Sequence, residues 1–328
     1  MTPRRRWLAA GVAWPALTWM GALRAQANPP VVIGWLSANN RPAGRGSAPK
    51  VFNEGMVALG WKLGAQYVLE ERYAEARVER LPALAQELAA MKPAAIVAIS
   101  ASAASAAAAA APTTAVVLAN GDPLAAGLVA SLARPGGMIT GLSNVSADAS
   151  LKVIELLVES MPKLRRIGFL VDSTIAVHGA NVTNVRSVAE RFRLEAVIVD
   201  VAKPEDIEPA IMRLAQAKVQ ALVLLASAWF GPHFSKIIQL ALAQRWPVVG
   251  NGTVIPKLDG LLSFGADHLA LARRAAYYVD RILKGAKPGD LPIEQPTTFE
   301  LILNMKTARA LGIAIPPSMR LRATEVIE

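Results

Sequence analysis

His178, His233 and His268 are the only histidines in the chain, and no cysteine accompanies them. They stand far apart and share none of the ligand spacings that zinc sites use. Neither a metal centre nor thiolate chemistry is therefore expected. The patterns of catalytic nucleophiles and phosphate loops are also missing, with no G-x-S-x-G elbow and no G-x-x-x-x-G-K-[ST] run. Gly44-Arg45-Gly46 begins like a dinucleotide fingerprint, but Pro49 stands where the third glycine belongs. No cofactor is called for, and no group is arranged for catalysis. The residues that remain are hydroxyls, amides and carboxylates placed beside apolar runs, which suit the holding of a solute.

The richest such stretch runs from Asp122 to Gly141, DPLAAGLVASLARPGGMITG. Asp122 suits a helix N-cap, with Pro123 at the first helical position. Arg134-Pro135-Gly136-Gly137 would end that helix, expected over 124–132, and turn the chain into a strand. A helix amino terminus at the carboxyl end of a parallel strand is where open α/β sheets bind ligands.

These residues need elements to position them, and the apolar pattern supplies candidates. Short β-branched runs at 31–36, 67–71, 94–99, 115–118 and 139–142 read as strands. Between them, Phe52, Met56, Val57 and Leu59 recur at helical spacing, as do Leu81, Leu84, Ala85 and Leu88. Residues 101–111 are nearly all Ala and Ser, a helix whose small side chains permit close approach to a sheet. The rhythm then repeats, with helices at 149–161, 184–192, 205–217 and 232–245 between strands at 167–171, 196–199, 221–225 and 247–249. A strand at 261–264, a long helix at 268–283, a proline-rich connector at 288–296, a strand at 299–303 and a helix at 305–311 complete the chain. Strands alternating with helices imply βαβ units and parallel sheets. Two runs of such units point to an α/β protein of two doubly wound parallel-sheet lobes, with a (β/α)₈ barrel as the competing arrangement.

The amino terminus reads as an address label. Arg4-Arg5-Arg6, an apolar stretch from Trp7 to Leu23 and Ala25-Gln26-Ala27 form the three parts of a secretory signal, cleaved after residue 27. Gly11, Pro15 and Gly21 interrupt that stretch, which is shorter than the about 20 residues a spanning helix needs. Arg4-Arg5-Arg6-Trp7-Leu8 also resembles a twin-arginine export motif. With no cysteine to carry a lipid, the expected product is a soluble periplasmic protein without a lipid anchor. The net charge of +10 falls to +6 once the leader removes Arg4, Arg5, Arg6 and Arg24. The remaining bases are mixed with acids, as in Glu70-Glu71-Arg72, which argues against a nucleic-acid partner. The mean hydropathy of +0.34 reflects alanine and does not signal a membrane protein.

DPLAAGLVASLARPGGMITGLS resembles the signature of the ABC transporter substrate-binding protein family, in the branch with tryptophan- and tyrosine-binding members. VVIGWLS at the start of the mature chain agrees with it. So do LLSFGAD, YYVDRILKGAKPGDLPIEQPTTFELILN and KTARALGIAIPPSMRLRATEVIE towards the end. The resemblance spans Val31 to Glu328 and implies a type I periplasmic-binding fold, two lobes joined by a three-strand hinge. The first lobe would be 28–144 plus 265–292, the second 145–264 plus 293–328, with hinges near Ser143-Asn144, Phe264-Gly265 and 292–296. Met138 stands where members commonly have Asn, and Val254 where many carry an acid.

Cleft residues implied by the ends of strands are Ser37, Asn39, Ser100, Ser102, Asn120 and Asp122 in the first lobe. In the second they are Asp172, Ser173, Ser227, Trp229 and Asn251. Hydroxyls beside helix amino-terminal N–H groups suit a carboxylate. Asp122 or Asp172 would suit an ammonium, and Trp229 a flat or apolar ligand. Asp172 and Ser173 serve equally well as helix caps, and Trp229-Phe230 as lobe packing. The implied function is a monomeric periplasmic protein that delivers a small molecule, an amino acid or an aromatic or carboxylate compound, to an ABC importer permease by hinge closure. A ligand sensor feeding a membrane receptor is the alternative.

Overall fold

The computed structural model describes residues 29–42, 47–75, 77–124, 126–144, 147–171, 187, 189–224 and 233–328. The expected leader lies outside them, as do residues 184–186 and 188 of the helix expected at 184–192. Two parallel sheets carry the fold. The first contains β1 (Val31–Ser37), β2 (Tyr67–Tyr73), β3 (Ala95–Ala98), β4 (Ala115–Leu118) and β5 (Ile139–Gly141), in the order β2-β1-β3-β4-β5. Every neighbouring pair in it is parallel. Helices α1 (Ala48–Ala58), α2 (Leu81–Ala90) and α3 (Ala101–Ala110) come from the same stretch of chain, and a fourth, His268–Leu283 (α8 in chain order), returns to it later.

The second sheet contains β6 (Arg166–Val171), β7 (Glu195–Asp200), β8 (Ala221–Leu224), β9 (Val248–Gly250), β10 (Leu262–Ala266), β11 (Phe299–Asn304) and β12 (Glu325–Ile327). Their order is β12-β11-β10-β9-β8-β6-β7. Its helices are α4 (Ala147–Ser160), α5 (Ile207–Gln216), α6 (Phe234–Ala243), α7 (Val254–Lys257), α9 (Met305–Leu311) and α10 (Pro317–Arg322). The doubly wound two-lobe architecture holds, and the barrel does not.

The inner strands of each sheet are buried on both faces, which explains why they read as continuous apolar runs. In the first sheet Ile33, Trp35, Val97 and Val117 join a core with Phe52 and Met56 of α1 and Tyr278 and Val279 of α8. Their neighbours Leu36, Ile96, Ala98, Val116 and Leu118 face the opposite way, onto Leu81, Leu84 and Leu88 of α2 and Ala103, Ala104 and Ala107 of α3. The alanine run is thus a packed helix, as its composition suggests. In the second sheet Phe169, Val223 and Val249 meet α4, while Leu170, Leu222 and Val248 meet α5 and α6.

One expected helix is absent. Residue 124 and residues 126–132 form turns and bends, not a helix. Ala126 N–H donates to the Asp122 carbonyl and Leu128 N–H to that of Pro123, and then Gly127 takes φ +65 and ends the turn. Leu124, the first apolar residue of the expected stripe, is exposed, while Leu128 and Val129 pack partly buried against the α2–α3 core from a non-helical backbone.

The chain passes between the sheets three times. It leaves β5 for α4, leaves β10 for α8 and returns from α8 to β11. The first two departures are from carboxyl ends of parallel strands. On the third pass the chain enters opposite the end of β10, pairing Phe299 with Ala266, and so β11 runs antiparallel to β10. Gly141, at φ +123, makes the first exit possible, since a Cβ there would run into the Leu118 carbonyl.

Close packing of α3 should tolerate no extra volume. Ala107→Leu is expected to destabilise the protein by about 1–3 kcal/mol. Ala109→Leu, on the exposed side of the same helix, should change stability by less than about 0.5 kcal/mol. Urea unfolding of the two variants checks this.

Candidate functional site

All three passes use the same edge of each sheet, so the carboxyl ends of the strands face the junction between the lobes. In the first sheet Leu36, Ala98 and Leu118 stand in register across β1, β3 and β4. The residues just beyond them, Ser37, Ser100 and Asn120, therefore line one edge.

Ser100 holds the start of α3. Its backbone is extended and its Oγ accepts from Ala103 N–H at 3.0 Å, a side-chain cap. The hydroxyls of Ser100 and Ser102 share a further hydrogen bond of 2.9 Å. The N–H groups of the first helical turn have no carbonyl four residues earlier within the helix, and they carry its positive dipole end.

Gly121 brings the loop after β4 onto this helix start. At φ +146 a Cβ on Gly121 would lie 2.7 Å from the Ala101 nitrogen, closer than a side chain permits. The Gly121 carbonyl accepts from Ser143 Oγ and from Asn144 N–H, each at 3.1 Å. One residue earlier, Asn120 Oδ1 is buried and has no hydrogen-bond partner among the described residues. A buried amide oxygen without a donor is costly. A ligand able to donate would relieve that cost.

The other expected residues are less concentrated. Ser37 is buried and its Oγ accepts from Asn39 N–H at 3.1 Å, while Asn39 itself is exposed. Asp122 is half-buried and lies in the turn that replaces the expected helix, so its role as cap of a full helix is withdrawn. Asn251 sits on the other sheet, half-buried, donating from Nδ2 to the Phe264 carbonyl at 3.1 Å. Asp172, Ser173, Ser227 and Trp229 lie outside the described residues. The structure thus gathers Ser100, Ser102 and Asn120, with Ser37 and Asn39 one strand away, and places Asn251 against β10.

Several polar groups at the junction were not singled out by sequence. Tyr73, the last residue of β2, donates to Glu71 Oε2 at 2.6 Å beneath the Arg41 guanidinium. Burial, with Glu71 alongside, pushes its phenol well above the ordinary range. His268 opens α8, and burial lowers the pKa of its ring, keeping it neutral. Arg274 of α8 grips Glu294 of the third pass in a two-pronged pair, 2.9 and 2.7 Å. That bond holds the Glu294 carboxyl below the usual carboxylate range, against the opposing effect of burial. No local signal announces the pair, because the partners come from a helix and from a proline-flanked connector. Among the described residues no three acidic, histidine or cysteine side chains gather as a metal set. No described helix is long and apolar enough to cross a membrane.

The family model described as ABC transporter substrate binding protein matches residues 43–327. The chain belongs to this family. It is 25% identical over 268 residues to a tyrosine-binding protein of Clostridioides difficile (strain R20291), covering 81% of this chain and 76% of the relative. A solved domain from Streptococcus pneumoniae, in complex with L-Trp, superposes with a TM-score of 0.81 at 26% identity, covering 91% of this chain and all of that one. A conserved domain protein of Vibrio cholerae gives the same TM-score at 24% identity, covering 90% and 99%. The substrate-binding protein described here therefore has the type I periplasmic-binding fold, and its polar carboxyl edge stands where that fold joins its lobes.

Two outcomes follow for this edge. Ser100→Ala removes the cap of α3 and should cost about 1 kcal/mol in thermal or urea unfolding. Because the Glu294 pKa is lowered on folding, its contribution is complete above the ordinary carboxylate pKa and fades as pH falls through the folded value. Both partners are partly exposed, so it should amount to at most about 1 kcal/mol. The stability difference between wild type and Glu294→Gln should thus be present at pH 7 and absent near pH 2.

Proposed function

We propose that this protein is exported to the periplasm as a soluble monomer and closes its two lobes around a small zwitterionic solute, handing it to the permease of an ABC importer. An amino acid, with an aromatic side chain foremost, is the solute class. The lobes that move are divided near residues 144, 265 and 293, and the leader is the segment 1–27. The protein performs no catalysis in this role.

One observation carries the reading. The unpartnered Asn120 oxygen, an acceptor, lies beside the amino end of α3, a set of donors. A solute with an ammonium and a carboxylate on one carbon satisfies both at once. The donors suit the carboxylate and the amide oxygen suits the ammonium. A neutral sugar offers hydroxyls to both but gains nothing from the helix dipole. Family membership supports the transport role, and the tyrosine-binding relative and the L-Trp complex support an aromatic amino acid.

The test is calorimetric titration of protein unfolded and refolded to strip resident solute. The panel holds amino acids, aromatic acids lacking the amino group, dicarboxylates, sugars and nucleosides. Binding should require both the carboxylate and the ammonium. At a hundred times its Kd, such a ligand should add about 2.7 kcal/mol to stability. Asn120→Ala should weaken it about 10- to 100-fold, the worth of a hydrogen bond to a charged group. Tight binding of a sugar or nucleoside, or full affinity for the amino-free acids, would overturn the zwitterion reading.

A further inference from the structure

The three passes between the lobes are not independent strands, and one residue ties the third to the first pass by its backbone and to the helix after the second by its carboxylate. Glu294 lies on the third pass. Its N–H donates to the Gly141 carbonyl at 3.0 Å, and its own carbonyl accepts from Ser143 N–H at 2.8 Å. It thereby forms a short parallel bridge with Leu142 of the first pass. Its carboxylate takes both prongs of Arg274, on the helix that follows the second pass. The Arg274 guanidinium in turn lies 3.9 Å from the Tyr277 ring centroid. Three more bonds fasten the same segment to the first lobe. Thr140 Oγ1 donates to the Leu291 carbonyl, Tyr278 Oη to that of Pro292, and Ile293 N–H to that of Leu132, each at 2.7 Å.

The lacing changes partner just beyond. At Thr298 the carbonyl accepts from Asp267 N–H of the second pass at 3.1 Å, and β11 then joins β10. The third pass is therefore bound to the first pass up to Glu294 and to the second from Thr298. Residues 295–297 lie between these two sets of bonds.

From this we propose that Glu294 is a positioning residue which ties the third pass to the first pass and to the first-lobe helix α8, so that the connector up to residue 294 turns with that lobe and the carboxylate governs ligand affinity without touching ligand. This rests on the hinge-closing reading above. With the carboxylate in place, the connector up to residue 294 moves as part of the first lobe. Without it, the junction samples more arrangements, and ligand must order them on binding. Apparent affinity falls with the fraction of molecules in the competent arrangement.

The experiment compares wild type, Glu294→Gln and Arg274→Lys in the whole exported protein. Without ligand, hydrogen exchange is followed at 141–144 and 291–298. In Glu294→Gln these amides should lose protection together, while β6 to β8 remain unchanged. With L-Trp as the probe, its Kd should rise about two- to five-fold, the range a half-exposed ion pair can supply. Arg274→Lys keeps the charge but loses the fork and should fall between the other two proteins. A merely structural loss would lower melting temperature without this graded change in exchange and affinity. Unchanged protection at 141–144 in a folded Glu294→Gln would overturn the coupling, whatever ligand binds. Absence of any ligand-induced compaction of the wild type by small-angle scattering would instead count against hinge closure itself.

Discussion

Parallel strand direction is the constraint on which the rest of this protein depends. When every neighbouring strand points the same way, the carboxyl ends of all of them fall on one edge. Each βαβ unit must place its helix on a face of the sheet, so both faces are buried and polar groups are driven to the ends. The first sheet obeys this throughout, and the second obeys it from β10 to β7. The sole reversal, β11, occurs where the chain re-enters the second sheet at its polar edge. The polar edge and the passes between the lobes thus share one geometric origin.

Close approach at that edge is obtained with small residues. Alanines bring α3 against the first sheet and α2, and Gly121 lets the loop after β4 touch the start of α3. A short distance between helix start and loop leaves little room for water and places donors and an acceptor side by side. The same packing explains why the long apolar helix expected after Asp122 is not built. Gly127 breaks the turn at φ +65, and Leu128 and Val129 then pack partly buried against the core as an irregular segment.

The hinge balances two requirements. In the proposed hinge, three connections would restrict the motion of the lobes, yet some backbone must still turn. Backbone pairing supplies the restriction at Leu142 and Glu294 on one side and at Asp267 and Thr298 on the other. Pro296 stiffens the interval with its fixed φ. The Arg274–Glu294 pair adds a specific tie whose strength is modest, as suits a joint that must not be rigid.

Much of this architecture could be read from residue order. The alternation of apolar runs with helical periodicities specified two parallel α/β lobes, because burial on both faces leaves a continuous apolar imprint on each strand. The alanine-rich segment declared its helix through composition alone, and the DPLAAGLVASLARPGGMITGLS stretch declared its family. Local patterns could not specify which polar groups share a place. Gly121 meets the start of α3 at Ala101 only because β3 and β4 are neighbours, and Asn120 Oδ1 is buried beside it without a hydrogen-bond partner among the described residues. Glu294 and Arg274 carry no mark of one another in the sequence. Their pairing depends on a helix and a connector returning to one edge of the first sheet. Such contacts are set by tertiary packing, since hydrogen bonds between distant segments leave no periodicity for the chain to display.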